Sequence, residues 1–201
     1  MIKENDFAVE QIKKVMQSKG YAFFTNGNYN LNIIGVRSKN REANKFDDWM
    51  LLVYKNNGVW LTRLYSITTD AGTYWLMNPS DKRGTALLVP NQYRGVYSID
   101  KHRNTYYALC QRNGNVKTYR DGDKDKILDM DASTITEGMY GINIHRSNPY
   151  NESVSVDKWS AGCQVFANPK DFEQFMEICY KAKDLWGNKF TYTLLLEEDF
   201  N

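Results

Sequence analysis

Apolar residues in this chain fall mostly in short alternating runs, and only two stretches carry a helical period. In the first, Val9, Ile12, Val15 and Met16 share a face, with Asp6 as the expected N-cap and Gly20 as the stop. In the second, Asn168 is the expected N-cap, Pro169 takes the first helical position and Asp171 suits the first-turn dipole. Phe172, Phe175, Met176, Cys179 and Tyr180 then form one buried stripe.

The rest reads as strand. Trp49 to Tyr54 and Val59 to Ile67 are β-rich and meet at Asn57-Gly58, which predicts a hairpin. Thr105 to Gln111 and Val116 to Tyr119, flanking Asn113-Gly114, predict a second one. Further strands are expected at Tyr21 to Thr25, Leu31 to Arg37, Gly95 to Ile99, Met139 to His145, Cys163 to Ala167 and Phe190 to Glu197. Many strands and few helices predict a mainly β (α+β) fold, sandwich-like or with a partly closed sheet. The polar stretch from Arg37 to Asp48 reads as a loop setting a small N-terminal unit, residues 1–60, against a main body, residues 61–201.

Composition narrows the function. The chain has 201 residues, enough for a sizeable core with 42% hydrophobic and 14% aromatic residues, and its net charge is only +2. With no basic run, zinc spacing or RNA-binding aromatic motif, nucleic acid is not an expected partner. The start, MIKENDFAVEQIKKVMQ, has no apolar run of signal-peptide length, so synthesis in the cytoplasm without a secretory leader is expected. No run approaches the roughly 18 apolar residues of a membrane span. Cys110, Cys163 and Cys179 are odd in number and widely spaced, against a disulfide framework. Asp121, Asp123, Asp125 and Asp129 mimic an EF-hand, but Lys126 and Ala132 stand where that loop needs Gly and Glu, so a solvated charged turn is expected.

The informative stretch is a strand ending in His145, then a polar loop, then Trp159, Ser160, Ala161, Gly162 and Cys163. A thiol becomes a good nucleophile when an imidazole accepts its proton, and small residues before it permit a tight turn. Amides at Ala161, Gly162 and Cys163 could then face one oxyanion. Cys179 on the helix stripe and Cys110 in a strand read as core; His102 is a candidate for support in the cleft. Arg146 and Asn148 read either as binders of a substrate carboxylate or amide, or as a solvated loop. Tyr93 and Tyr150 are cleft-lining candidates weighed against core packing, and Trp159 is expected to anchor the turn.

These residues resemble the L,D-transpeptidases, which carry a histidine, a spacer, and Ser or Thr followed by His-Gly-Cys. His145 and Cys163 are 18 positions apart (163 minus 145), and Ser160, Gly162 and Cys163 match the terminal motif. Ala161 stands in place of the family's second histidine, Arg146 in place of a glycine, and Gln164-Val165 depart from the residues that usually follow. Residues 84–95, 97–102, 143–146 and 159–165 are similar to phage-encoded members, and the resemblance covers about Leu61 to Phe200. It implies the L,D-transpeptidase fold with a helix after the catalytic strand. It also implies Cys163 as acylated nucleophile, His145 as base, Ser160 as a supporting hydrogen-bond residue and backbone amides around Gly162 as oxyanion donors. The implied partners are peptidoglycan stem peptides, and virion components if the protein is phage-borne, with a place in the virion or at the cell wall. No metal or organic cofactor is implied. The alternatives are a non-catalytic virion or wall-binding protein that keeps the fold, and a cysteine peptidase acting on proteins.

Overall fold

The computed structural model describes residues 8–200. In chain order these form α1 (Val9–Ser18), β1 (Asn32–Arg37), β2 (Asp48–Asn56), β3 (Val59–Thr68), α2 (Thr73–Met77), β4 (Thr85–Leu88), β5 (Gln92–His102) and β6 (Tyr106–Gln111). There follow β7 (Val116–Asp121), β8 (Thr136–Gly138), β9 (Ile144–Arg146), β10 (Gln164–Phe166), α3 (Pro169–Trp186) and β11 (Phe190–Leu196). Asp6, the expected cap of α1, lies outside the described residues.

The protein is mainly β. Eight strands close into a barrel in the order β1-β11-β5-β6-β9-β10-β3-β2, and β4-β7-β8 make a separate three-stranded sheet. The sheet thus closes fully, where the sequence pointed to a sandwich-like or partly closed one. Closure leaves no unpaired barrel edge. Residues 32–56, from the N-terminal segment, supply two of the eight staves.

Strand alternation sorts side chains between the lumen and the outside. Tyr192 on β11 donates its hydroxyl to Gln164 Oε1 on β10 at 2.7 Å. Those strands lie on opposite sides of the barrel, so both side chains point inward. Outside, α1 lays Ile12, Val15 and Met16 on Ile34, Val36, Leu51, Val53 and Leu195. That cover explains why all six residues of β1 are buried rather than alternating. Helix α3 begins as its sequence predicts: Asn168 accepts from the Lys170 N–H at 2.9 Å, with Pro169 next. It packs Phe172 and Phe175 against Phe166, with ring centroids 5.5 and 5.0 Å apart. Tyr180 is 38% exposed, so the buried stripe ends at Cys179 and Ala182, with Ile178 beside them.

Three strand expectations are corrected. Residues 21–25 run extended without joining a sheet, because two side-chain amides satisfy their backbone. Gln92 pairs with both polar groups of Ala22 at 3.0 and 2.8 Å, and Asn32 with those of Phe24 at 2.7 and 2.9 Å. The second hairpin does not form. Strand β6 is paired on both sides, by β5 and β9, so β7 turns away to β4 and β8. At Asn113-Gly114 the chain folds back on β5, with the Arg112 and Asn113 amides donating to the Val96 carbonyl. Residues 139–143 join no sheet: β8 ends before them, β9 starts only at Ile144, and Gln111 binds the Ile142 amide and the Gly138 carbonyl.

A buried ionic cluster ties the barrel to the small sheet. Arg37, 2% exposed, lies 3.0 Å from Asp70 and donates to Thr69 Oγ1 and to the Leu88 carbonyl on β4. The Asp70 contact lacks hydrogen-bond alignment, which leaves Asp70 Oδ1 without a hydrogen-bond partner among the described residues. Asp48 accepts from the Ser38 amide and from both donors of Thr69. Burial, with Asp70 nearby, pushes its carboxyl up to about 7. In the acidic turn, the carboxylates of Asp121, Asp123 and Asp125 accept from the amides of Asp129, Asp125 and Ile127.

Candidate active site

The Cys163 turn lies beside the strand that carries His145 because β9 and β10 are parallel neighbours. Val165 pairs with His145, and the Gln164 amide donates to the Asn143 carbonyl at 2.9 Å. Gln164 points into the barrel, so alternation turns Asn143, His145, Cys163 and Val165 to the outer face. Cys163 stands opposite Asn143, diagonally across from His145, on the order of 8 Å between Cα atoms at normal strand spacings.

The turn before Cys163 is held from three directions. Ser160 Oγ donates to the Cys163 carbonyl at 2.8 Å and accepts from the Gly162 amide at 3.1 Å. Gly162 has φ +116°, and a Cβ there would sit 2.2 Å from the Ala86 carbonyl oxygen, so only glycine fits. Gly72, at the start of α2, donates to the Ser160 carbonyl at 3.0 Å and comes so near Asp157 that a Cβ would overlap its backbone. From the lumen, Gln164 Nε2 donates to the carbonyls of Gly162 and Thr69, while Tyr192 fixes its other end. The sequence pointed to three amides for an oxyanion. The Gly162 amide is instead taken by Ser160, and among the described residues only Ala161 and Cys163 keep theirs unengaged.

The imidazole is equally constrained. His145 Nδ1 lies 2.7 Å from the Arg146 carbonyl, so Nδ1 carries the proton and Nε2 holds the free lone pair. The Tyr106 hydroxyl donates to that same carbonyl at 3.2 Å. His102 stacks on His145 with centroids 4.1 Å apart, and its Nδ1 accepts from Asn143 Nδ2 at 3.0 Å. Burial, with His102 against the ring, lowers His145 to about 3. Burial and the charge of Arg103 lower His102 to about 4. Both rings are therefore neutral at pH 7.

Cys163 is partly exposed, unlike Cys110 and Cys179, which are buried. Its Sγ accepts from the Asn143 amide at 3.4 Å and donates to the Gly141 carbonyl at 3.5 Å. No hydrogen bond among the described residues joins it to His145. Burial of the sulfur raises its pKa, and the Asn143 amide and Arg103 offset this only in part. A nucleophile ionised near neutrality is the sequence expectation for a catalytic Cys163; the resting thiol is protonated instead.

The other expected site residues divide. Arg146 lies over the Tyr106 ring at 4.1 Å. Ala161 lines a cavity of about 210 Å³ beside the turn. Asn148 is spent locally, accepting from the amides of Tyr150 and Asn151. Tyr93 is no part of the cleft: it points inward from β5, 4% exposed, and its hydroxyl binds the carbonyls of Val89 and Lys117. Tyr150 is 86% exposed. Asn143 and Tyr106 are the contributors the sequence reading missed. Asn143 was within reach of it, since it precedes His145 by two in an expected strand and so shares its face; Tyr106 carried no local signal. A concavity of about 800 Å³ between Val36 and Glu197 shares no residue with this site.

Comparison of the chain with protein-family models, curated proteins and solved structures gave no match.

Proposed function

We propose that this chain is a cysteine enzyme of the L,D-transpeptidase type acting on peptidoglycan stem peptides. The observation that carries the reading is the parallel β9–β10 pair, which brings the braced Cys163 turn alongside the strand that holds His145. With thiol and imidazole both neutral at rest, proton transfer accompanies attack. Cys163 Sγ bonds to the carbonyl carbon of the third-position diamino acid as its proton passes to His145 Nε2. The amides of Ala161 and Cys163 hold the oxyanion. The C–N bond then breaks, His145 returns the proton to the leaving amine, and a thioester remains. An amine resolves it as a cross-link, or water as a free acid. Virion or wall association of a phage-borne protein fits this activity.

A second reading, a virion or wall-binding protein that keeps the site without turnover, is favoured by the protonated thiol bound to Gly141. Incubation with purified tetrapeptide and tripeptide stems, sacculi and casein, followed by mass spectrometry, separates the two. Loss of D-alanine or formation of a cross-linked dimer, abolished in Cys163→Ala, is the expected result. No change in stems or sacculi supports the binding protein, and cleavage of casein alone a peptidase of proteins.

A further inference from the structure

Next to the Cys163 turn is a buried cation with an unmade hydrogen bond. The 210 Å³ cavity is walled by Ala86, Ile142, Ala161, Tyr140, Asp81 and Arg120. Arg120 is 7% exposed and lies over the Tyr140 ring at 4.3 Å. Its Nε donates to Thr136 Oγ1 at 2.9 Å and its Nη1 stands 3.6 Å from Asp81, but its Nη2 has no hydrogen-bond partner among the described residues. Asp81 is one carboxylate shared by two guanidiniums. Arg83 binds both oxygens of that carboxylate, at 3.0 and 2.6 Å, and holds it well below the usual carboxylate range.

A buried guanidinium with a free N–H is costly unless something accepts from it, and its planar fork fits a carboxylate. We propose that this cavity binds a carboxylate of the acyl donor, with Arg120 Nη2 as its principal donor. The position suits this. Ala161 is two residues before Cys163, and Ile142 lies between Gly141 and Asn143, the two residues that hold Sγ. A carboxylate in the cavity thus lies beside the turn that carries the sulfur. The identity of the donor rests on the proposed acyl transfer; the carboxylate site rests on Arg120 itself. A stem peptide offers two such groups, the terminal carboxylate of D-alanine and the side carboxylate of the diamino acid.

The test follows the Arg120 Nε–Hε resonance, assigned by its disappearance in Arg120→Lys. Intact protein is titrated with N-acetyl-D-alanine or its amide. Cys163→Ala is titrated with tetrapeptide stem bearing both carboxylates free, or either one amidated. The free acids are expected to shift the resonance saturably. Amidating the carboxylate that enters the cavity should weaken tetrapeptide binding roughly ten- to a hundredfold, which also tells the two groups apart. Arg120 unmoved by every free acid, or tetrapeptide binding indifferent to both amidations, overturns the proposal without relying on a variant's stability. A shifted Arg120 with no stem turnover leaves the carboxylate site standing and removes the enzyme reading. Turnover indifferent to amidation does the reverse.

Discussion

The protonation state of Cys163 is where the mechanism is most exposed to test. Its thiol is raised above the ordinary value of 9.0, and His145 is lowered to about 3. Both shifts disfavour a resting thiolate–imidazolium pair. At neutral pH the resting Cys163 is then mainly the thiol. The perturbation is alkylation with iodoacetamide from pH 5 to 10, with Cys163 modification read by mass spectrometry. The rate should climb about tenfold per pH unit through neutrality, without a plateau below the ordinary thiol range. His145→Ala should leave that profile nearly unchanged while removing turnover of stem peptides, because His145 acts during attack and not at rest. A plateau below pH 7 in the native protein, lost in His145→Ala, would refute the reasoning: the ion pair would then exist, and the burial argument for both groups would be wrong.

Other outcomes follow from particular contacts. Gly162→Ala must place a Cβ against the Ala86 carbonyl at a left-handed φ, so a loss of about 2–4 kcal/mol is expected in urea unfolding; a loss under about 0.5 kcal/mol would refute the close approach. Tyr192→Phe strands the Oε1 of buried Gln164 and should cost about 1–3 kcal/mol, with activity falling as the turn loosens. The two histidines should stay neutral by NMR well below pH 6.5, because both are depressed in the folded state. Since the unfolded chain takes up those protons first, their contribution is present above about pH 6.5 and is lost as pH falls toward 4. Asp48 works the other way: its carboxyl is raised to about 7, so the folded state holds a proton that the unfolded chain releases. Stability from that group is full below about pH 4 and lost as pH rises to 7, and Asp48→Asn should flatten this component of the curve.

The sequence by itself determined what depends on near neighbours. The cap and first turn of α3 are written in Asn168, Pro169 and Asp171, and the β2–β3 hairpin in Asn57-Gly58 between two β-rich runs. Strands expected to end at His145 and to begin at Cys163 were legible too, and β9 and β10 lie there as parallel neighbours. Tertiary structure alone decided matters that depend on which edges are free and what is buried. Asn113-Gly114 carries a hairpin signal as strong as Asn57-Gly58, yet β6 has no edge left for β7. Tyr93 and Arg120 are both polar-tipped residues in strands. Only the packing of barrel and small sheet sends one into the core and leaves the other facing a cavity with a donor unsatisfied among the described residues. Ionisation of the thiol and imidazole was equally invisible, because desolvation is set by all the atoms packed around a group, and those come from distant parts of the chain.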